Sequence, residues 1–487
     1  MAATSLRSWI PACAGMTPAP PGAERSRWIA WGFLIAIALP LRCGIAGENS
    51  KIDLRCGEFY FRIGGRPSFI LGRNPTGWKV EQFGPLFEWA AGSGETLMRI
   101  HLTNGMPANA PPGEVDEDWA QRWERVFDMA AASGLRVLPV FGVWADWNDG
   151  GRGEPWHSWH KNRYNASLGG PAKSPADLFR DTECRRLWLQ WLRKMVGRWQ
   201  GRAHILGWEV FSELDLVTGS TEDAAVGFVA EAAKVVRAAD AQGRPVTASL
   251  SGIGEWPRLF ASNALNFLQV HPYANHPRFK GDLAGMIVET VRARRKRYGK
   301  PVLIGECGLD SGSPPGTLTV SSRAHIGIGH AIWASVVSGA MAGRMLWWED
   351  GYDLYSKLDL RTKYKNASAP VATFVKGVDF TGFEPVDVKT SPEINGAAIG
   401  NNRVVLGWFR DVECAPPNWP ERPVAGQRVV LPALGRSGNG NISFHDTTTG
   451  QIIAKQAVRA DEGKIAIILP MFQDSIAFKL AVPETER

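Results

Sequence analysis

Two glutamates end short apolar runs. Glu213 follows Ile205 to Phe211, and Glu306 follows Pro301-Val302-Leu303-Ile304-Gly305. Runs this short, bounded by turn residues, read as fully buried β-strands. A carboxylate at the end of a buried strand is costly unless something uses or pairs it. Two readings account for it: chemistry, or a helix cap or arginine partner, since structural ion pairs also occupy such places. Other reactive side chains stand at equivalent positions. His271 and Tyr273 end the run that starts at Asn266, Trp347 and Trp348 lie in Arg344 to Asp350, and Arg99 sits inside Thr96 to Leu102. Two carboxylates facing each other, one protonated and one ionised, are what cleavage of a glycosidic bond requires.

Such side chains converge only if the fold gathers strand ends on one rim. From Ser68, eight strand-like runs begin at 68, 97, 136, 205, 245, 267, 301 and 343, with helical periodicity between them. Among the helical stretches are Trp119 to Ala132, Asp177 to Trp199, Glu222 to Ala239 and Leu283 to Tyr298. Eight β/α units over roughly 300 residues have the rhythm of a (β/α)8 TIM barrel. The competing doubly wound sheet, if it bound a nucleotide, would carry a Gly-rich phosphate turn after its first strand. Gly72-Arg73-Asn74-Pro75 is not one. A hairpin over 57–71 opens the domain, with Phe59, Phe61 and Ile63 alternating before Gly64-Gly65 and Ser68 to Leu71 returning. The expected barrel covers residues 57–380. From 385 to 487 short strands separated by Gly, Asn and Asp turns follow, the pattern of a small C-terminal β-sandwich domain.

The stretch from Ala145 to about Ser174 is long for a loop in a compact domain, which usually signals function. Trp144, Trp147, Trp156 and Trp159 make it a candidate sugar-stacking surface; the alternative is a loop folded over its own aromatics. His157 and His160 have a loosely metal-like spacing, but two histidines in a loop make a weak site. Glu209 reads as the partner of a buried basic group. Glu349, Asp350 and Asp215 are further carboxylates near strand ends, with helix capping the plainer role for Asp215. Cys307 reads as a packed side chain, and Arg292 to Arg297 as a solvated helix face.

The formal net charge of +7 is modest for this length, and its one dense basic run, Arg292 to Arg297, reads as a helix face, so nucleic-acid binding has little support. Residues 1–46 read as an export leader. Arg25 and Arg27 precede the apolar run Trp28 to Leu41, and Gly44-Ile45-Ala46 offers small residues for cleavage. The leader is long, and Met16 is an alternative start. Leu41-Arg42 before Cys43 fits lipidation poorly. The expected location is periplasmic or extracellular, with membrane contact only if this segment stays uncleaved. The six cysteines contain no CxxC pair and suggest no particular disulfide.

Trp208-Glu209-Val210-Phe211-Ser212-Glu213, His271-Pro272-Tyr273, Ile304-Gly305-Glu306 and Leu346-Trp347-Trp348 resemble, in order, the strand 4, 6, 7 and 8 signatures of clan A glycoside hydrolases. The nearest pattern is the cellulase-like glycoside hydrolase family 5. The resemblance implies a retaining enzyme acting on a β-linked oligo- or polysaccharide, with no metal and no organic cofactor. Glu213 would be the acid/base and Glu306 the nucleophile. Tyr273 and Arg99 would hold the nucleophile ionised, and His271 would orient the acid/base or the substrate. Trp347 or Trp348 would form the sugar platform. One residue departs from the pattern: the family places Asn before the acid/base to bind the sugar 2-hydroxyl, and here Ser212 stands there. A hydroxyl is shorter and has a single donor proton, so Asn74 or Asn104 is an alternative source of that contact. The departure bears on the substrate more than on the reaction. It also keeps open a non-catalytic carbohydrate-binding protein on a degenerate barrel.

Overall fold

The computed structural model describes residues 52–481, apart from 55–57, 76–78, 104–108, 151–156, 313–315, 351–363, 365 and 434–438. The leader, Cys43, Cys56, Asn104 and Trp156 therefore lie outside the described residues. Within them, no helix is long and apolar enough to cross a membrane.

Eight parallel strands form one sheet that nearly closes on itself. They are β1 (Ile70–Arg73), β2 (Leu97–His101), β3 (Arg136–Val143), β4 (Trp208–Ser212), β5 (Val246–Thr247), β6 (Leu268–Val270), β7 (Val302–Ile304) and β8 (Ala342–Arg344). β8 pairs back onto β1 through Ala342 and Ile70. Only the seam between β5 and β6 lacks a ladder. There Asn266 N donates to Val246 O at 2.9 Å and Thr247 Oγ1 to Phe267 O at 2.9 Å, so the seam is stitched rather than open. This is the expected TIM barrel.

Three details differ from the sequence reading. The return run after Gly64-Gly65 is split. Arg66–Ser68 pairs with Phe61–Ile63 in a small antiparallel sheet, and the barrel begins at Ile70. The last barrel strand ends at Arg344 instead of running through Trp347 and Trp348. Arg344 and Met345 both take positive φ, 71° and 31°, which breaks the extended path. The long segment after β3 is not structureless. It contains three short 3-10 turns, at Trp144–Trp147, Trp159–Lys161 and Ala166–Leu168.

Helices clad the barrel because each presents an apolar stripe to it. Helix Thr182–Trp199 buries Trp188, Trp191, Leu192, Met195 and Trp199, and Asp181 caps its start through the Cys184 amide at 2.7 Å. Trp191 and Trp199 meet Trp119 of the preceding helix Glu117–Ala132 and Phe141 of β3. A large part of the tryptophan content is thus core. Truncating one such side chain costs about 3–5 kcal/mol.

The C-terminal β-sandwich has a six-stranded and a three-stranded antiparallel sheet. It is joined to the barrel by the helix Ala324–Ser338. Trp333 Nε1 donates to Thr447 O at 3.0 Å, His330 lies 5.5 Å from the Trp408 ring, and Trp419 covers Gly327. Ile399, Leu406, Trp408 and Trp419 belong to the same contiguous apolar core as the barrel.

Candidate active site

The ends of β2, β4, β6 and β7 bring six of the expected residues into one buried cluster: Arg99, Ser212, Glu213, His271, Tyr273 and Glu306. Its centre is Arg99, which is wholly buried. Nε and Nη2 donate to the two carboxylate oxygens of Glu209 at 2.7 and 2.8 Å. Nη1 donates to Glu306 Oε1 at 2.8 Å and to Asn74 Oδ1 at 3.1 Å, and Nη2 also reaches Ser212 Oγ at 2.8 Å. The fork thus spends all five of its N–H donors. Burial opposes the charge, but Glu209 and Glu306 overcome that cost and raise the Arg99 pKa. Glu209 is the partner of a buried base that its position suggested.

Glu306 is anchored on both oxygens. Oε1 accepts from Arg99, and Oε2 accepts from the Tyr273 hydroxyl at 2.9 Å. Burial, then the neighbouring carboxylates, keep Tyr273 well above the usual phenol range, so it stays a donor. Glu213 is anchored differently. Its backbone takes a left-handed conformation (φ 59°), an uncommon geometry for a side chain of this size. Its amide donates to Ser249 Oγ at 3.1 Å. Its carboxylate meets His271 Nδ1 at 2.7 Å. Burial, then Asp215, push the Glu213 carboxyl up to about 8. Burial, with Glu213 beside it, leaves Glu306 raised as well, against the opposing pull of the Arg99 guanidinium. Because Arg99 and Tyr273 bond Glu306 and not Glu213, a proton shared by the pair rests on Glu213. His271 is driven toward the neutral form by burial.

Oxygens of Glu213 and Glu306 and a ring nitrogen of His271 all lie within 4.8 Å of one another. Two carboxylates and an imidazole can also accept a divalent cation. Here a guanidinium and a phenol already occupy Glu306, and both compete with such an ion.

The remaining candidates separate. Trp347 and Trp348 are half-buried, with rings 6.4 Å apart at 85°. Trp347 packs against His101, with ring centroids 4.9 Å apart. His101 was not singled out from the sequence. It lies two residues beyond Arg99 on β2, its Nε2 is 3.7 Å from Glu306 Oε1, and burial holds it well below the usual imidazole range. The Arg-x-His spacing on a strand was the available signal, because alternation puts both on one face. Trp144 is half-buried against His157 and outside the hydrogen-bonded cluster. Trp147 and Trp159 pack on each other and on Tyr164, so this part of the loop folds over its own aromatics. His157 is buried while His160 is exposed.

Ser212 is wholly buried beneath Arg99, and Asn74 spends its amide on Gly305 O and Met345 O, both at 3.0 Å. The Asn74 amide is thus spent, and Ser212 Oγ accepts from Arg99 and from Ser249. Asp215 accepts from Ser251 N at 2.8 Å, Glu349 accepts from Leu309 N at 2.8 Å, and Asp350 pairs with Arg344. Cys307 is packed, with Sγ 2.7 Å from Arg344 O and its thiol pushed up by burial. Cys184 and Cys414 are likewise free and buried.

No protein-family model matches the chain, and no curated protein matches it in sequence. Solved structures share its fold. One described as a glycoside hydrolase is 12% identical, with a TM-score of 0.60 over 90% of this chain and 98% of its own. A glycoside hydrolase family 5 structure from Bacteroides vulgatus is also 12% identical, with a TM-score of 0.61 over 89% of this chain and 94% of its own. Both overlaps span barrel and sandwich, so the two-domain architecture is that of these structures.

Proposed function

We propose that the chain is a retaining glycoside hydrolase acting on a β-linked oligo- or polysaccharide. The observation that carries this reading is the Glu213–Glu306 pair, with oxygens within 4.8 Å and unlike surroundings. Retaining enzymes hold their carboxyl groups about 5–5.5 Å apart, whereas inverting ones leave about 6.5–9.5 Å for a water. One oxygen of each glutamate comes within the shorter of these spacings, which supports direct attack by a carboxylate.

Glu306, held ionised by Arg99 and Tyr273, attacks the anomeric carbon. The bond to the leaving oxygen breaks, and Glu213 delivers its proton to that oxygen. A glycosyl ester on Glu306 results. Glu213, now a carboxylate, takes a proton from water as that water attacks the same carbon and releases Glu306. The glutamate that begins protonated is the one without a cationic hydrogen-bond partner, as this sequence of steps needs. Trp347, half-buried beside His101, offers a flat apolar face to a sugar ring. The fold of the similar structures supports the same class of reaction. We infer export of the protein from the N-terminal leader.

The test is a panel of chromogenic β-glycosides and plant or microbial glycans, run on the wild type and on Glu306→Gln. Hydrolysis of at least one substrate, abolished in a folded Glu306→Gln protein, is the expected result. Near-normal turnover in that variant, or binding without any turnover by the wild type, overturns the reading.

A further inference from the structure

Gln269 and His271 are two residues apart on and just beyond β6, so their side chains share the inward face of the barrel. Gln269 is 1% exposed, yet neither its Oε1 nor its Nε2 has a hydrogen-bond partner, and His271 Nε2 has none either. The atoms converge over Gly305, just beyond the neighbouring strand β7. A Cβ there would collide with Gln269 Oε1 and lie 2.7 Å from His271 Nε2. A buried amide without partners lowers stability, and an apolar side chain of the same shape would not. Stability therefore does not explain Gln269.

The other side of the ring gives the explanation. His271 Nδ1 is 2.7 Å from Glu213 Oε1. When Glu213 holds the proton, Nδ1 is the acceptor and the ring's own hydrogen is on Nε2, where it needs an acceptor in turn. We propose that Gln269 Oε1 takes the Nε2–H of His271, directly or through one water, and so fixes the tautomer that leaves the proton on Glu213. Gln269 is then a positioning residue for the acid, and this rests on the reading of Glu213 as the acid. Without it, the ring hydrogen can sit on Nδ1 and donate to Glu213, which favours the carboxylate and disarms it.

The charged and titratable groups around Glu213 and His271 are Arg99, His101, Glu209, Asp215, Tyr273 and Glu306, and all remain in Gln269→Met. The tautomer is read directly by 15N NMR of histidine-labelled full-length protein near neutral pH, with His271→Asn used to assign the resonance. The expected result is a protonated Nε2 and a bare Nδ1 in the wild type, with the pattern reversed in Gln269→Met. A protonated Nδ1 in the wild type overturns the proposal and needs no variant; an unchanged tautomer in the variant also does. On any glycoside that is hydrolysed, the alkaline limb of kcat/KM is expected to fall by about one pH unit in Gln269→Met, a tenfold change in proton concentration. A loss that is equal at all pH values marks a merely structural role and refutes the proposal. If no glycoside is hydrolysed, the catalytic reading of Glu213 fails while the NMR result still judges Gln269.

Discussion

Glu213→Gln removes a buried titration and keeps the shape of the side chain. Burial and Asp215 move the Glu213 carboxyl from an ordinary 4.5 to about 8. The folded protein therefore binds this proton more tightly than the unfolded chain does. Its contribution to stability is complete below about 4.5 and is lost as pH rises toward the folded value. At about 1.4 kcal/mol per pKa unit, the wild type loses roughly 3 kcal/mol through this group between pH 4.5 and 7. Glu213 is only 8% exposed, so solvent screening removes little of that. A glutamine has no such titration. Urea unfolding of both proteins at pH 5, 6, 7 and 8 is expected to show the variant gaining on the wild type at each step, by about 3 kcal/mol near neutrality. A stability difference that stays constant with pH would mean that Glu213 is already ionised in the fold, and the assignment of the shared proton would be wrong.

Arg99→Leu leaves Glu209 and Glu306 buried without their cation; a loss of about 3–5 kcal/mol is expected, partly recovered when Glu209→Gln is added, as measured by chemical denaturation. The alkaline limb of the pH–rate profile is expected near pH 8, where Glu213 gives up the proton it must deliver; a profile flat to pH 10 on substrates with poor leaving groups contradicts this. Removing residues 384–487 exposes the barrel surface that Leu406, Trp408 and Trp419 cover, and is expected to give insoluble or unfolded protein by light scattering and circular dichroism. A soluble, fully active barrel would show that the sandwich is dispensable.

The barrel was legible because parallel strands buried on both faces leave short apolar runs at regular intervals, each followed by helical periodicity. Glu213, His271, Tyr273 and Glu306 were legible for the same reason, since polar residues closing apolar runs are conspicuous. What the runs did not show was where strands stop. The tail of β8 remains apolar through Leu346 and Trp347, but positive φ at Arg344 and Met345 ends it early, and no side-chain pattern encodes that. Nor did they show which way side chains turn. Ser212 and Asn74 were candidates for a sugar contact, and both are buried with their side-chain oxygens accepting from Arg99. That cluster joins β2 to β4, and such pairing depends on the closure of the barrel. Trp147 and Trp159 looked equally suited to stacking and to core, and only packing against Tyr164 separates the two.

The stereochemistry of the first product tests the central claim most directly. Proton NMR of a β-glycoside during the first minutes of hydrolysis, before mutarotation, distinguishes the two anomers. Attack by Glu306 followed by water predicts the β-anomer first. First appearance of the α-anomer would mean a single displacement by water, and would contradict the double displacement assigned to Glu213 and Glu306.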